Sequence, residues 1–118
     1  MHRYTWVQFD KDIEEIVRRL KRGRHVFKGV WGPARGGLPI AVCLSHALGI
    51  PLAKKPANTD ILIVDDIADT GKTLGRFACK GYFIATIFYH QNSIFTPDIW
   101  VRKKTNKWIK FPWEKTGN

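Results

Sequence analysis

Ile61-Leu62-Ile63-Val64-Asp65-Asp66-Ile67-Ala68-Asp69-Thr70-Gly71-Lys72-Thr73 is the stretch from which the fold is read. Its first four residues are consecutive β-formers, the pattern of a short strand buried on both faces, as in a parallel sheet. Three carboxylates, Asp65, Asp66 and Asp69, follow within five residues. The chain has ten acidic residues against twenty lysines and arginines, a net charge of +10, so three acids at one strand end stand out. Thr70-Gly71-Lys72-Thr73 is a small, hydroxyl-bearing turn that opens into a helical pattern. A turn that aims backbone N–H groups and hydroxyls into a helix N-terminus suits an anion, phosphate above all. Acids beside such a cradle point to a ligand with sugar hydroxyls, a phosphate and a divalent metal.

Two other readings of the stretch are weaker. Gly71-Lys72-Thr73 has the ending of a Walker A loop, but that motif needs a glycine five residues before Gly71. The position holds Asp66, which would repel a triphosphate. A strand followed by a solvated acidic helix cap needs one acid, and this turn has three.

Working outward, the 118 residues amount to a single domain with one core. A hydrophobic content of 44% with five tryptophans belongs to a folded globule. No apolar run approaches twenty residues and there is no signal-peptide core, so a soluble, cytoplasmic protein without membrane contact is expected. Cys43 and Cys79 fall in helical, apolar settings and read as reduced packing residues, neither at metal-ligand spacing. The positive charge implies polyanionic partners, either phosphate-rich small molecules or nucleic acid.

Phe9, Ile13, Ile16, Val17 and Leu20 make one stripe of an amphipathic helix within Tyr4 to Leu20. Asp10, Asp12, Glu14 and Glu15 lie early in it. Arg18, Arg19, Lys21 and Arg22 close it before Gly23, as the helix dipole prefers. The basic run to Arg24 reads as a solvated helix end before it reads as a nucleic-acid patch. His25 to Trp31 predicts a first strand, and Gly32-Pro33-Ala34-Arg35-Gly36-Gly37 a loop whose backbone approaches a ligand closely while the guanidinium clamps an anion. Leu38 to Leu48 predicts a helix stopped by Gly49. On a parallel sheet, this loop and the acidic turn share the carboxyl edge where ligands bind. Thr73 to Lys80 predicts a short helix, Tyr82 to Tyr89 a strand, and Ile99 to Arg102 another short strand. The segment from Pro97 to Glu114 is aromatic, basic and interrupted by proline, and Lys115 to Asn118 is expected to fray.

The order of four apolar residues, two acids and an Asp-Thr-Gly-x-Thr turn resembles the PRPP-binding signature of type I phosphoribosyltransferases. Ala34-Arg35-Gly36-Gly37 is similar to that family's pyrophosphate loop, and Val30 to Pro51 looks like the matching segment of its xanthine-guanine members. Trp108-Ile109-Lys110-Phe111-Pro112-Trp113-Glu114 resembles their purine hood. Three separated motifs thus run in the family's order. The resemblance implies a three-layer α/β fold, a parallel sheet flanked by helices, in one domain over 1–118. Its core covers about 1–92 and its hood about 93–114. A strand and a long mobile lid are implied after Pro51, yet only about ten residues, including Lys54 and Lys55, separate it from Ile61, a shortened loop.

The same resemblance implies a purine phosphoribosyltransferase joining a 6-oxopurine (guanine, xanthine or hypoxanthine) to PRPP in purine salvage, with Mg²⁺ and as a homodimer or homotetramer. Asp65 and Asp66 would hold the ribose hydroxyls and, partly through water, the metal. Asp69 would handle the purine proton and, with Thr70, Gly71, Lys72 and Thr73, border the 5′-phosphate. Ala34, Arg35, Gly36 and Gly37 would hold pyrophosphate. Trp108 would stack on the purine, the Ile109 backbone would line its far edge, and His90 would stand where the family has a lysine reading the exocyclic oxygen. Trp113 reads as a core plug and His46 as an exposed helix residue. The alternative is a non-catalytic relative that binds nucleotide or nucleic acid, with Lys103, Lys104, Lys107 and Lys110 around Trp108 as its basic face.

Overall fold

A computed structural model describes residues 1–114; the expected fraying of 115–118 lies outside the described residues. The chain runs β1 (His2–Arg3), α1 (Trp6–Arg22), β2 (Gly29–Trp31), α2 (Gly37–Leu48), β3 (Ile61–Ala68), α3 (Lys72–Cys79), β4 (Ile84–Tyr89), β5 (Ile99–Lys103) and β6 (Ile109–Lys110).

The main sheet has the order β2-β3-β4-β5, every pair parallel. Strand β3 is buried on both faces, so its side chains divide between two cores. Leu62 and Val64 pack with Ile40, Ala41 and Leu44 of α2 and with the α1 stripe. Ile61 and Ile63 pack on the opposite side with Leu74 of α3 and with Trp31 and Phe77. Helices therefore cover both faces, the three-layer architecture expected.

Helix α1 begins with a capping box: Gln8 donates its backbone N–H to Thr5 Oγ1 at 3.1 Å, and Thr5 N–H donates to Gln8 Oε1 at 3.0 Å. Asp12, one of the four acids early in the helix, is buried at 3% exposure in the apolar stripe. Tyr4 donates its hydroxyl to Asp12, and Arg102 of β5 donates to the same carboxylate at 2.7 Å. Burial and the Asp12 carboxylate hold the Tyr4 phenol well above its usual range. The triad bolts α1 to the edge strand.

Four expectations about elements change. Strand β2 starts at Gly29, because residues 25–28 have no neighbouring strand; Val26 is 91% exposed. Strand β3 runs through both acids to Ala68, because pairing with β4 continues as Asp65↔Thr86, Ile67↔Phe88 and Ala68↔Tyr89. The acids thus sit inside the strand. Cys79, the last residue of α3, is exposed and does not join the packing of the helix. The segment after Pro51 keeps only a bridge, Val30↔Leu52, and is then tied down where Tyr82 donates its hydroxyl to the Pro56 carbonyl at 2.8 Å.

Residues 93–114 divide between two sheets: β5 extends the main one, while β6 pairs in parallel with β1, His2↔Ile109 and Arg3↔Lys110. Among the described residues no helix is long and apolar enough to cross a membrane.

Candidate active site

At the carboxyl ends of β2 and β3 lies a cavity of about 320 Å³, bounded by Ala34 and Gly36 on one side and by Asp65 and residues 67–74 on the other. Two strand ends and two helix starts build it, which is why residues thirty positions apart share one wall. Gly36 brings its backbone against Asp66, and a Cβ there would run into the carboxylate. Gly71 caps α3 with φ of 79°, a left-handed conformation that folds the Thr70–Thr73 turn back over the helix N-terminus. Lys72 N–H donates to Thr70 Oγ1 at 3.3 Å. The Ala34–Arg35 peptide is cis.

Asp65 and Asp66 are half-buried neighbours, and Asp65 Oδ1 accepts the Asp66 N–H at 2.8 Å. Burial first, and then the Asp66 charge, pushes the Asp65 carboxyl well above the usual carboxylate range. Asp66 is also pushed up, by burial above all, with the Glu114 charge adding to it. Two crowded carboxylates that resist ionising together suit a cation. Their oxygens fit a hard ion such as Mg²⁺, which binds through one or two carboxylates and keeps water and substrate oxygens. Among the described residues no group of three His, Cys, Asp or Glu side chains makes a complete metal cage. A metal held here would need further ligands from water or a bound molecule.

Asp69 is exposed at the mouth, 3.8 Å from the ammonium of Lys104, whose side chain is only 17% exposed. Sequence reasoning placed Lys104 in a basic face and missed it here. Its approach depends on β5 lying beside β4, where Lys104 N–H donates to the Tyr89 carbonyl at 2.8 Å. No local pattern carries that pairing.

The other expected site residues are distributed differently. Ala34, Gly36, Asp65, Asp69, Thr70, Gly71, Lys72 and Thr73 border the cavity. Asp66 and the buried Gly37 support its walls from behind. Arg35 is exposed and borders the neighbouring groove beside Leu38 and Trp113. His90 is 7% exposed; its Nδ1 accepts the Asn92 N–H at 3.0 Å, leaving Nε2 as the nitrogen facing Asn106 Oδ1 at 3.5 Å. It does not border the cavity. Trp108 is 72% exposed between β5 and β6 and likewise stands off the cavity wall. Ile109 buries its side chain among Tyr4, Phe88 and Phe111, leaving only its backbone for a ligand.

No protein-family model matches the chain. A xanthine-guanine phosphoribosyltransferase of Nitratidesulfovibrio vulgaris is 27% identical over 135 aligned positions, which cover 93% of this chain and 82% of that protein. The crystal structure of a purine phosphoribosyltransferase from Pyrococcus horikoshii superposes with a TM-score of 0.81 at 33% identity, covering 99% of this chain and 95% of its own. A Helicobacter pylori xanthine-guanine-hypoxanthine phosphoribosyltransferase reaches 0.82 at 23% identity, over 96% and 92%.

Proposed function

The chain belongs to the type I phosphoribosyltransferase family of pentosyl-transferring enzymes, and from that footing we propose that it joins a 6-oxopurine to PRPP, releasing a nucleoside monophosphate and pyrophosphate. The observation that carries the reading is the meeting of an acid pair, a phosphate-type turn and a glycine loop around one cavity. The purine specificities of the similar proteins support the substrate class.

The reaction breaks the bond from the ribose anomeric carbon to pyrophosphate and forms one to a purine nitrogen, with positive charge growing on the ribose ring between. Asp65 and Asp66 hold the ribose hydroxyls, and their negative charge favours that transition state. Thr70, Gly71, Lys72 and Thr73 offer N–H groups and hydroxyls to the 5′-phosphate at the start of α3. Ala34, Gly36 and Gly37 let backbone approach the pyrophosphate, with Arg35 at its outer side. Asp65 and Asp66 would hold Mg²⁺, which when bound would neutralise charge on the departing pyrophosphate. Asp69 takes the proton that the incoming purine nitrogen gives up.

Lys104 supports the oxopurine part of the reading. An ammonium has three donors and no acceptor, so beside Asp69 it matches a carbonyl oxygen and opposes an exocyclic amino group. It takes the part that the resemblance gives to His90. Trp108 supplies a free aromatic face, worth about 1–3 kcal/mol when a base stacks on it, and the Ile109 backbone the edge beyond it. Purine salvage in the cytoplasm, by a homodimer or homotetramer, belongs to the same reading.

A regulatory nucleic-acid binder is the rival, favoured by the exposed Trp108 beside exposed Lys103 and Lys107. Pyrophosphate release from PRPP and Mg²⁺, measured with hypoxanthine, guanine, xanthine and adenine in turn, separates the two. Release with an oxopurine and not with adenine is expected. Silence with every base, together with single-stranded RNA binding that collapses between low and physiological salt, would establish the rival.

A further inference from the structure

His90 is buried and stands off the cavity, so its imidazole serves something other than direct contact there. Its backbone N–H donates to the Ala68 carbonyl at 2.9 Å, and its carbonyl accepts the Ser93 N–H at 2.9 Å. Between these, Nδ1 accepts the Asn92 N–H at 3.0 Å. That bond reaches two residues on, as an Asn or Asp side chain does in a turn. The ring thereby closes the turn over residues 90–93 and sets the direction of the next residue. Ile94 donates its N–H to the Thr70 carbonyl at 2.9 Å. The segment lies so close to Gly71 that a Cβ there would strike Ser93 Oγ.

Thr70 belongs to the turn that opens α3. Gly71 has φ of 79° and ψ of 3°, the third-residue values of a type II turn, whose middle peptide can flip to give type I. Here that peptide is Thr70–Gly71. It is trans, so its C=O and N–H point in opposite directions and a flip exchanges them. Glycine tolerates either state, so Gly71 itself does not choose between them. Ile94, which holds the carbonyl, does not border the cavity, whereas Gly71 does. Among the described residues the Gly71 N–H has no hydrogen-bond partner.

We propose that His90 is a positioning residue: through the turn it closes, Ile94 pins the Thr70–Gly71 peptide so that the Gly71 N–H is presented to an anion in the cavity. Flipped, the same peptide would turn a carbonyl oxygen toward that anion. The inference rests on the proposed function for what the anion is, a sugar phosphate at Thr70–Thr73.

The test is calorimetric binding of ribose 5-phosphate, and of guanosine, which lacks the phosphate, to the native chain and its variants. His90→Phe keeps the bulk of the ring and loses the acceptor. His90→Asn loses bulk and keeps an acceptor that reaches two residues on. His90→Phe should weaken ribose 5-phosphate by about tenfold or more, with guanosine affinity and circular dichroism unchanged, and His90→Asn should recover most of the loss. If the ring only packs, the order of the two variants reverses and the proposal falls. Should His90→Phe fail to fold, Ile94→Pro decides. It deletes the donor at a residue that is 71% exposed, and the same selective loss is expected. Native protein that binds ribose 5-phosphate while these variants bind it equally well overturns this inference alone. Native protein that binds no ribose 5-phosphate overturns it together with the phosphate site of the proposed function.

Discussion

Asp12 and the Asp65–Asp66 pair are acids in apolar surroundings with opposite fates. Asp12, almost fully buried, receives the Tyr4 hydroxyl and the Arg102 guanidinium, so its charge is answered within the chain. Asp65 and Asp66 crowd each other, Glu114 adds its charge at Asp66, and their protons are held more tightly than a carboxylate usually holds them. One region is finished within the chain; the other is left open. A chain with twenty basic residues has cations to spare, so leaving an acid pair unanswered at the cleft is the kind of local instability that binding sites retain.

The contrast breaks first at the reaction. Asp69→Asn keeps the size of an exposed mouth residue and removes its proton acceptor. Turnover should drop by about 10²–10⁴-fold with the melting temperature unchanged, and near-normal turnover would remove Asp69 from catalysis. The finished region is tested by Asp12→Ala, which strands the Tyr4 hydroxyl and Arg102. A loss of about 1–3 kcal/mol in denaturant unfolding is expected, moderated because Arg102 keeps a third of its side chain in solvent.

Asp65→Asn should move stability the other way. The folded pKa of Asp65 is raised, so its charged form opposes folding above the ordinary carboxylate pKa. In chelator at neutral pH the variant should gain about 0.5–2 kcal/mol and lose activity. The gain should fade below about pH 4, where Asp65 is protonated folded or unfolded. A destabilised variant would mean that the pair is not strained.

The smallest effect belongs to a surface acid answered by two arginines. Arg18 and Arg19 lie 2.5 and 2.6 Å from Glu15 and pull its carboxyl down to about 2. Glu15→Gln should lower the melting temperature slightly at neutral pH. That gap should close as pH falls from about 4.5 to about 2, because a depressed carboxyl contributes only while ionised.

Much of this was legible in local pattern. The run Ile61 to Val64 announced a two-faced strand, the stripe Phe9 to Leu20 a core-facing helix, and Gly71 to Thr73 a turn that opens a helix. Asp12 was passed over, though a signal existed: it stands three residues after Phe9 and four before Ile16, inside the stripe, and an acid there signals a partner. Other features need the assembled chain. His25 to Lys28 has strand-like residues but no strand alongside to take its hydrogen bonds. Strands β1 and β6 are two residues each and exist only because each completes the other. Lys104 reaches Asp69 from another strand, and His90 turns inward toward Asn92; neither direction is written in neighbouring residues.

The pairing of β1 with β6 bears on the order of assembly during synthesis. Strands β2 to β5 leave the ribosome in the order in which they sit, so each can add to a neighbour already made. His2 and Arg3, among the first residues made, must wait for Ile109 and Lys110. Asp12 waits for Arg102. A nascent chain stalled before β5 would therefore hold most of the cavity between β2 and β3 while its first helix still lacked its anchor, a state for chaperones to guard.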